Sequence, residues 1–365
     1  MTLLVGTQRA VVATADDPLL LEHGRRLDHV EVAYETWGTL APGRDNVVVV
    51  CHALTGDAHA AGEGGWWSSL VGPGRPVDTD RWFVVCSNLL GGCRGTTGPS
   101  SPHPGDPARA WGLDFPLLTV RDLVSVQRRL LGHLGIERVH AAVGGSLGGM
   151  QVLQWVLDDP AAIDRAVVVA ASSRLTAQNI AFSAVAREAI LRDPDFRDGQ
   201  YAAAGVRPDR GLAVARRMAH ITYVSEESLE RKFGRDRVGA AAGDPPRHGT
   251  DFQVEAYLDH QAEVFLQRFD ALSYLYLTRV MDYLDLYADP AAAARQAAGG
   301  TRFLHVSFDS DWRFPTAHTA RTHALLAAAG AETRHVEVSS PWGHDSFLLD
   351  PPGYHDVVRS FVEAR

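Results

Sequence analysis

Hydrophobic and polar positions follow two rhythms along the chain. In the first, residues 29–37 alternate apolar and polar, which predicts a half-buried strand. Residues 46–51 (NVVVVC) and 81–87 (RWFVVCS) are continuous β-branched or apolar runs, as expected of strands covered on both faces. Within 119–134, Leu123, Val126, Leu130, Leu131 and Leu134 recur at helical spacing, with Gln127, Arg128 and Arg129 mostly on the other face. Residues 138–145 (RVHAAVGG) predict another strand, ending in two glycines. A short helix over 147–157 stops before Pro160, and 164–171 (DRAVVVAA) is again strand-like. Strands separated by helices in this order imply a mainly parallel sheet with helices on both faces, an α/β fold.

From about Ser172 the rhythm changes. Three helix-forming runs without β-branched stretches begin at Gln178, Gly211 and Val254, and the last ends at Leu284. The segment 235–249, which contains GAAAGDPPRHG, has the composition of a loop. Strand–helix alternation then resumes: 302–308 (RFLHVSF) a strand, 316–329 a helix, 333–338 a strand and 352–363 a closing helix. The predicted organisation is an α/β core over 1–172 and 289–365, interrupted by a helical insertion over 173–288.

A chain of 365 residues, 45% hydrophobic and 22% charged, can bury a sizeable core. Its net charge of −9 argues against broad electrostatic binding of nucleic acid, though not against a small anion held by one or two buried arginines. Cys51, Cys86 and Cys93 fit no zinc spacing and read as reduced structural thiols, the usual state in the cytoplasm. The leading apolar stretch 1–6 is too short for a signal peptide, and no window reaches the roughly 18 apolar residues of a membrane span. These features predict a soluble, cytoplasmic protein.

The chemistry centres on Gly144-Gly145-Ser146-Leu147-Gly148-Gly149, a G-x-S-x-G between a predicted strand and a predicted helix. The motif is short enough to occur by chance, and its context gives it weight. A serine on a sharp strand-to-helix turn projects its hydroxyl above the sheet, and glycines on either side let the turn close. An unactivated serine needs a base, and the base needs an orienting carboxylate. In folds of this kind the chain order is Ser, acid, His. The acid then follows strand 302–308, where Asp309 and Asp311 are both candidates. The base lies after the last strand, where His344 follows Gly343 in a loop. The other histidines, such as His305 within a strand, read as packed or exposed residues. An oxyanion hole needs two N–H donors. Leu147, at the start of a helix, supplies one, and Leu54, in the loop HALTGD (52–57) after an early strand, is the choice for the other.

The blocks CHALTGDAHA (51–60), GGWW (64–67), NLLGGCRGTTGPSS (88–101), GGSLGGMQ (144–151), ARRMAHITY (215–223), SDWRFP (310–315) and GHDSF (343–347) resemble the homoserine O-acetyltransferase family, in family order and over nearly the whole chain. The resemblance implies an α/β-hydrolase fold with the insertion as a helical lid, and it selects Asp311 over Asp309. It further implies that Arg216 and Asp345 bind homoserine, guanidinium to carboxylate and carboxylate to ammonium. Tyr223 is expected to line the same pocket, and a homodimer through the lid helices is expected. Two positions depart from the family pattern: Leu147 stands where methionine is common, and Arg313 where an apolar residue often precedes Phe314.

The activity so implied is ping-pong transfer of acetyl from acetyl-CoA to L-homoserine through acyl-Ser146, in methionine biosynthesis. It needs no metal and no resident cofactor. The rivals are a succinyl donor or a serine acceptor on the same scaffold, an esterase-type hydrolase, and a non-catalytic binding protein of this fold. A complete nucleophile, acid and base argue against the last, and the paired charges of Arg216 and Asp345 argue for transfer over hydrolysis.

Overall fold

Eight strands form one sheet in the computed structural model, which describes residues 6–239 and 244–364. They are β1 (Gln8–Ala13), β2 (Val30–Trp37), β3 (Val47–Cys51), β4 (Phe83–Ser87), β5 (Val139–Gly145), β6 (Ile163–Val169), β7 (Arg302–Phe308) and β8 (Thr333–Val338). The spatial order is β1-β2-β4-β3-β5-β6-β7-β8. The strands from β4 through β8 pair in parallel, and β1 and β2 add an antiparallel edge.

The run VVVVC shows why the middle of the sheet forms. Val47, Val49 and Cys51 point into one apolar layer, beside Leu123, Val126 and Leu130 of the helix α1 (Val120–His133). Val48 and Val50 point into the other layer, which also holds Tyr354, Val358 and Val362 of the closing helix (Tyr354–Glu363). Period-2 alternation with apolar residues at every position requires cover on both faces, and the helices supply it. Helix α1 starts where Thr119 and Asp122 cap each other: Thr119 N–H donates to Asp122 Oδ2 at 2.8 Å, and Asp122 N–H to Thr119 Oγ1 at 3.3 Å.

Helix α2 (Leu147–Asp158) follows β5 directly. Between β6 and β7 the three helix-forming runs become five helices: α3 (Ala177–Leu191), α4 (Asp209–Tyr223), α5 (Glu226–Phe233), α6 (Gln253–Leu266) and α7 (Ala271–Asp282). Two breaks account for the extra elements. Val224 is extended and Ser225 caps α5 by accepting from Ser228 N–H, while Asp270 caps α7 by accepting from Ser273 N–H. Of the expected loop 235–249, residues 240–243 lie outside the described residues, as do residues 1–5 of the leading apolar stretch. Three helices complete the core: α8 (Ala292–Ala298), α9 (Thr316–Ala328) and α10, the closing helix.

Candidate active site

Ser146 stands between β5 and α2 with φ 57° and ψ −124°, a backbone conformation that side chains rarely adopt. Its N–H donates to the Val169 carbonyl on the neighbouring strand at 2.9 Å. The glycines around it are sterically required. A Cβ at Gly144 would lie 2.3 Å from the Gly148 carbonyl, and one at Gly148 would lie 2.0 Å from the Cys51 carbonyl. The turn therefore closes only with glycine at both places, and it lifts the serine to the C-terminal edge of the sheet.

The two loops beyond β7 and β8 are laced together. Asp309 Oδ1 accepts from Ser340 N–H at 2.9 Å, Ser310 Oγ accepts from Gly343 N–H at 2.9 Å, and Ser310 O–H donates to the Ser340 carbonyl. Asp309 is thus occupied in holding the loops in register. Asp311 is the carboxylate that meets the histidine: His344 Nδ1 lies 2.7 Å from its Oδ2. The other oxygen of Asp311 accepts N–H bonds from Arg313 and Phe314, each at 2.9 Å. With Nδ1 committed as donor to a carboxylate, Nε2 is left as the basic nitrogen of the neutral ring. The insertion presses on the same corner. A Cβ at Gly343 would fall 2.6 Å from Ser225 N, and the Trp312 indole N–H donates to the Val224 carbonyl at 3.1 Å.

Ser146 and His344 both line a cavity of about 450 Å³ shared with Leu54, Arg216, Tyr223 and Asp345. Leu54 sits in the turn Ala53–Gly56, closed by Gly56 N–H to the Ala53 carbonyl at 3.0 Å. Leu147 is the first residue of α2, where a backbone N–H has no intrahelical acceptor. Arg216 is 9% exposed; its guanidinium stacks over Phe265 at 4.8 Å, and its Nε has no protein acceptor. Among the described ion pairs none joins Arg216 to Asp345, so each charge is open to a ligand. Burial pushes the Asp345 carboxyl up to about 6, against the opposing pull of His344 and Arg216. The Tyr223 ring lies 5.9 Å from the His344 ring.

The cavity also holds residues the sequence reading assigned no role: Asp57, His59, Arg94 and Arg268. The first three lie inside the quoted family blocks, which was the available signal. Both nitrogens of His59 face acceptors, Glu35 Oε2 and the Glu63 carbonyl, each at 2.8 Å. Burial works against its protonation, but these hydrogen bonds outweigh it and raise its pKa. Arg313 is 7% exposed, donates to Thr222 Oγ1 at 3.0 Å and stacks on Tyr223, so the unusual cation packs just behind the cavity wall. The three cysteines are free thiols, and burial pushes Cys51 up to about 12. No helix among the described residues is long and apolar enough to cross a membrane.

The sheet order and the serine turn define an α/β-hydrolase-fold protein, and the family model for the alpha/beta hydrolase fold matches residues 46–351. A Nocardioides protein named homoserine O-succinyltransferase is 61% identical, over 98% of this chain and 98% of its own length. A Rhodospirillum rubrum protein named homoserine O-acetyltransferase is 49% identical, over 97% of this chain and 92% of its own. The crystal structure of homoserine O-acetyltransferase from Bacillus anthracis superposes with a TM-score of 0.88 at 26% identity, covering 100% of this chain and 99% of that one. The chain belongs to the homoserine O-acetyltransferase family, the acyltransferase branch of this fold to which its sequence blocks pointed.

Proposed function

We propose that the enzyme moves an acetyl group from acetyl-CoA to the hydroxyl of L-homoserine. The observation that carries this reading is the pairing of a buried cation, Arg216, with a separate carboxylate, Asp345, in the cavity of Ser146 and His344. A zwitterionic amino acid needs both charges, held apart, with its side-chain hydroxyl free to approach the serine.

In the first half-reaction His344 Nε2 takes the Ser146 proton as Oγ attacks the thioester carbonyl. The tetrahedral oxyanion is held by the N–H groups of Leu54 and Leu147, and the C–S bond then breaks, the proton passing to the departing coenzyme A sulfur. Asp311 keeps the imidazole in the required tautomer and balances its transient positive charge. In the second half-reaction His344 takes the homoserine hydroxyl proton, the new C–O bond forms, and Ser146 Oγ leaves with that proton. Hydrolysis competes at the acyl-enzyme. Residues 173–288 act as a lid against it, placing Arg216, Tyr223 and Arg268 over a serine that is only 8% exposed. The coenzyme A thioester is a substrate, no resident cofactor enters these steps, and the setting is methionine biosynthesis in the cytoplasm. The lid helices are the proposed homodimer face.

A succinyl donor is the second reading. The relative with 61% identity carries that name, and Arg94 and Arg268 add cations to the cavity that a free succinyl carboxylate could meet. Initial rates with acetyl-CoA and succinyl-CoA, each with homoserine, serine and water, separate the possibilities. Acetyl-CoA with homoserine is expected to be fastest by at least about tenfold, a difference of about 1.4 kcal/mol. Preference for succinyl-CoA establishes the second reading, and water as best acceptor makes the protein a hydrolase.

Arg216→Ala is expected to raise the homoserine KM roughly 10- to 100-fold, the worth of a charge-assisted pair, while acylation by the thioester stays within a few-fold. Equal loss in both half-reactions would give Arg216 a structural role instead. Asp345 supplies a pH test. With its pKa raised to about 6, it is neutral below that value and loses its hold on the ammonium. The homoserine KM should therefore climb as pH falls from 7 to 5, and Asp345→Asn should make it high and flat. A wild-type KM that stays level over this range contradicts the role.

A further inference from the structure

The break between α6 and α7 carries one side chain back to the core. Asp270 ends it by capping α7, accepting from Ser273 N–H at 3.2 Å. Two residues earlier Arg268 extends to the oxyanion turn, where its Nη1 donates to the Thr55 carbonyl at 2.7 Å, a contact spanning 213 residues of sequence. Thr55 follows Leu54 within the turn closed by Gly56 N–H and the Ala53 carbonyl. The other described hydrogen bonds and ion pairs of this loop come from the core. Arg94 pairs with Asp57 at 3.8 Å, the Trp66 indole donates to the Asp57 carbonyl at 2.9 Å, and His59 binds Glu35. Among the described hydrogen bonds and ion pairs, Arg268 makes the direct bond from the insertion to residues 52–60. Its guanidinium lies over Phe265 at 5.4 Å, and the same ring carries Arg216 at 4.8 Å.

We propose that Arg268 is a positioning residue that couples the lid to the oxyanion hole. By fixing the Thr55 carbonyl it sets the plane of the turn, and with it the direction of the Leu54 N–H. Fixed hydrogen-bond donors stabilise a developing oxyanion only when they are aimed before the charge forms, so a small rotation of this turn weakens the hole without removing any group from it. The hole is then complete only with the helices around α6 and α7 seated over the cavity. This confines acyl chemistry to the covered state, in which water is kept from the acyl-enzyme. The inference rests on the reading of Ser146 as the acylated residue.

Arg268 also lines the cavity, so the rival is that it only binds substrate. Hydrolysis of p-nitrophenyl acetate separates the two, because that ester contains neither coenzyme A nor an amino acid yet still passes through a tetrahedral oxyanion. Removing an oxyanion donor outright costs about 10²–10³ in rate, and misaiming one should cost roughly 10- to 100-fold. In Arg268→Gln the expected loss is of that size and is equal for p-nitrophenyl acetate turnover, enzyme acylation and transfer, with the homoserine KM within about twofold. Arg268→Lys, which keeps the charge but not the planar fork, should lose nearly as much, and it carries the test if the glutamine variant does not fold. Undiminished ester hydrolysis overturns the proposal and assigns Arg268 to substrate binding. A homoserine KM that moves with the rate overturns it too, because the Phe265 stack and Arg216 would then have shifted as well. Ester hydrolysis and transfer that both survive Ser146→Ala sink the acyl-serine reading itself, an outcome distinct from either.

Discussion

Ser146→Ala should abolish acyl transfer and leave the fold unchanged. Every bond-making step proposed here uses Ser146 Oγ, so the loss should reach about 10⁴-fold or more, with what remains reflecting substrate binding and the oxyanion donors alone. Stability should hardly move. Alanine keeps the Cβ and the N–H bond to Val169, and it suffers the same positive φ as serine. Ser146→Gly gives the complementary result. It loses activity equally but relieves a backbone strain of roughly 1–3 kcal/mol, so it should melt higher than the wild type. The measurements are release of coenzyme A thiol, intact mass after mixing with acetyl-CoA, and thermal unfolding. Transfer in the alanine variant within about tenfold of wild type, or an acetyl adduct still present on it, would show that the serine is not the acylated residue.

That strain bears on what could be read from the sequence. The serine turn was legible because it is a steric problem with few solutions. Gly144 and Gly148 stand where a Cβ would lie 2.3 Å or less from backbone atoms, so the glycine spacing records the geometry directly. The buried strand 302–308 was legible for a similar reason and has the predicted bounds, as does the less buried strand 333–338 at the sheet's edge. The edge strand β1 went unnoticed. It is six residues long with only half of them buried, and its pattern is too weak to distinguish from a loop. The short α8, seven residues rich in alanine, lacks an apolar stripe long enough to register.

Arg268 was missed for a more specific reason. The run from Val254 to Leu284 has helical periodicity throughout, and an arginine within it reads as one more solvated charge. The structure divides the run at Asp270, and that break turns Arg268 inward. A capping aspartate before Ala-Leu-Ser was the available signal, and the apolar periodicity on either side concealed it. His59 and Arg94 were hidden differently. They sit in blocks specific enough to identify the family, but their contacts with Glu35 and Asp57 depend on pairings between loops that spacing alone does not give. Tertiary closeness of charges is the part of a site that one sequence states least directly.

The choice between Asp309 and Asp311 shows the same limit, and mutation should resolve it with a large difference. Residue chemistry left both carboxylates open, two positions apart after the same strand. In the structure three N–H donors converge on Asp311, those of His344, Arg313 and Phe314, whereas Asp309 accepts from Ser340 in lacing the loops. Asparagine at 311 has one carbonyl oxygen for these donors. If that oxygen stays with the two backbone N–H groups, the amide NH₂ faces His344 Nδ1 and forces the ring proton onto Nε2. A histidine in that tautomer cannot accept the serine proton, so kcat should fall by about 10⁴ in both half-reactions with little change in substrate affinity. Asp309→Asn keeps an acceptor for Ser340 N–H and should cost less than about tenfold, mostly through loop order. A larger loss at 309 than at 311 would mean that His344 is oriented by something other than the carboxylate it touches, and the assignment of all three residues would have to be redrawn.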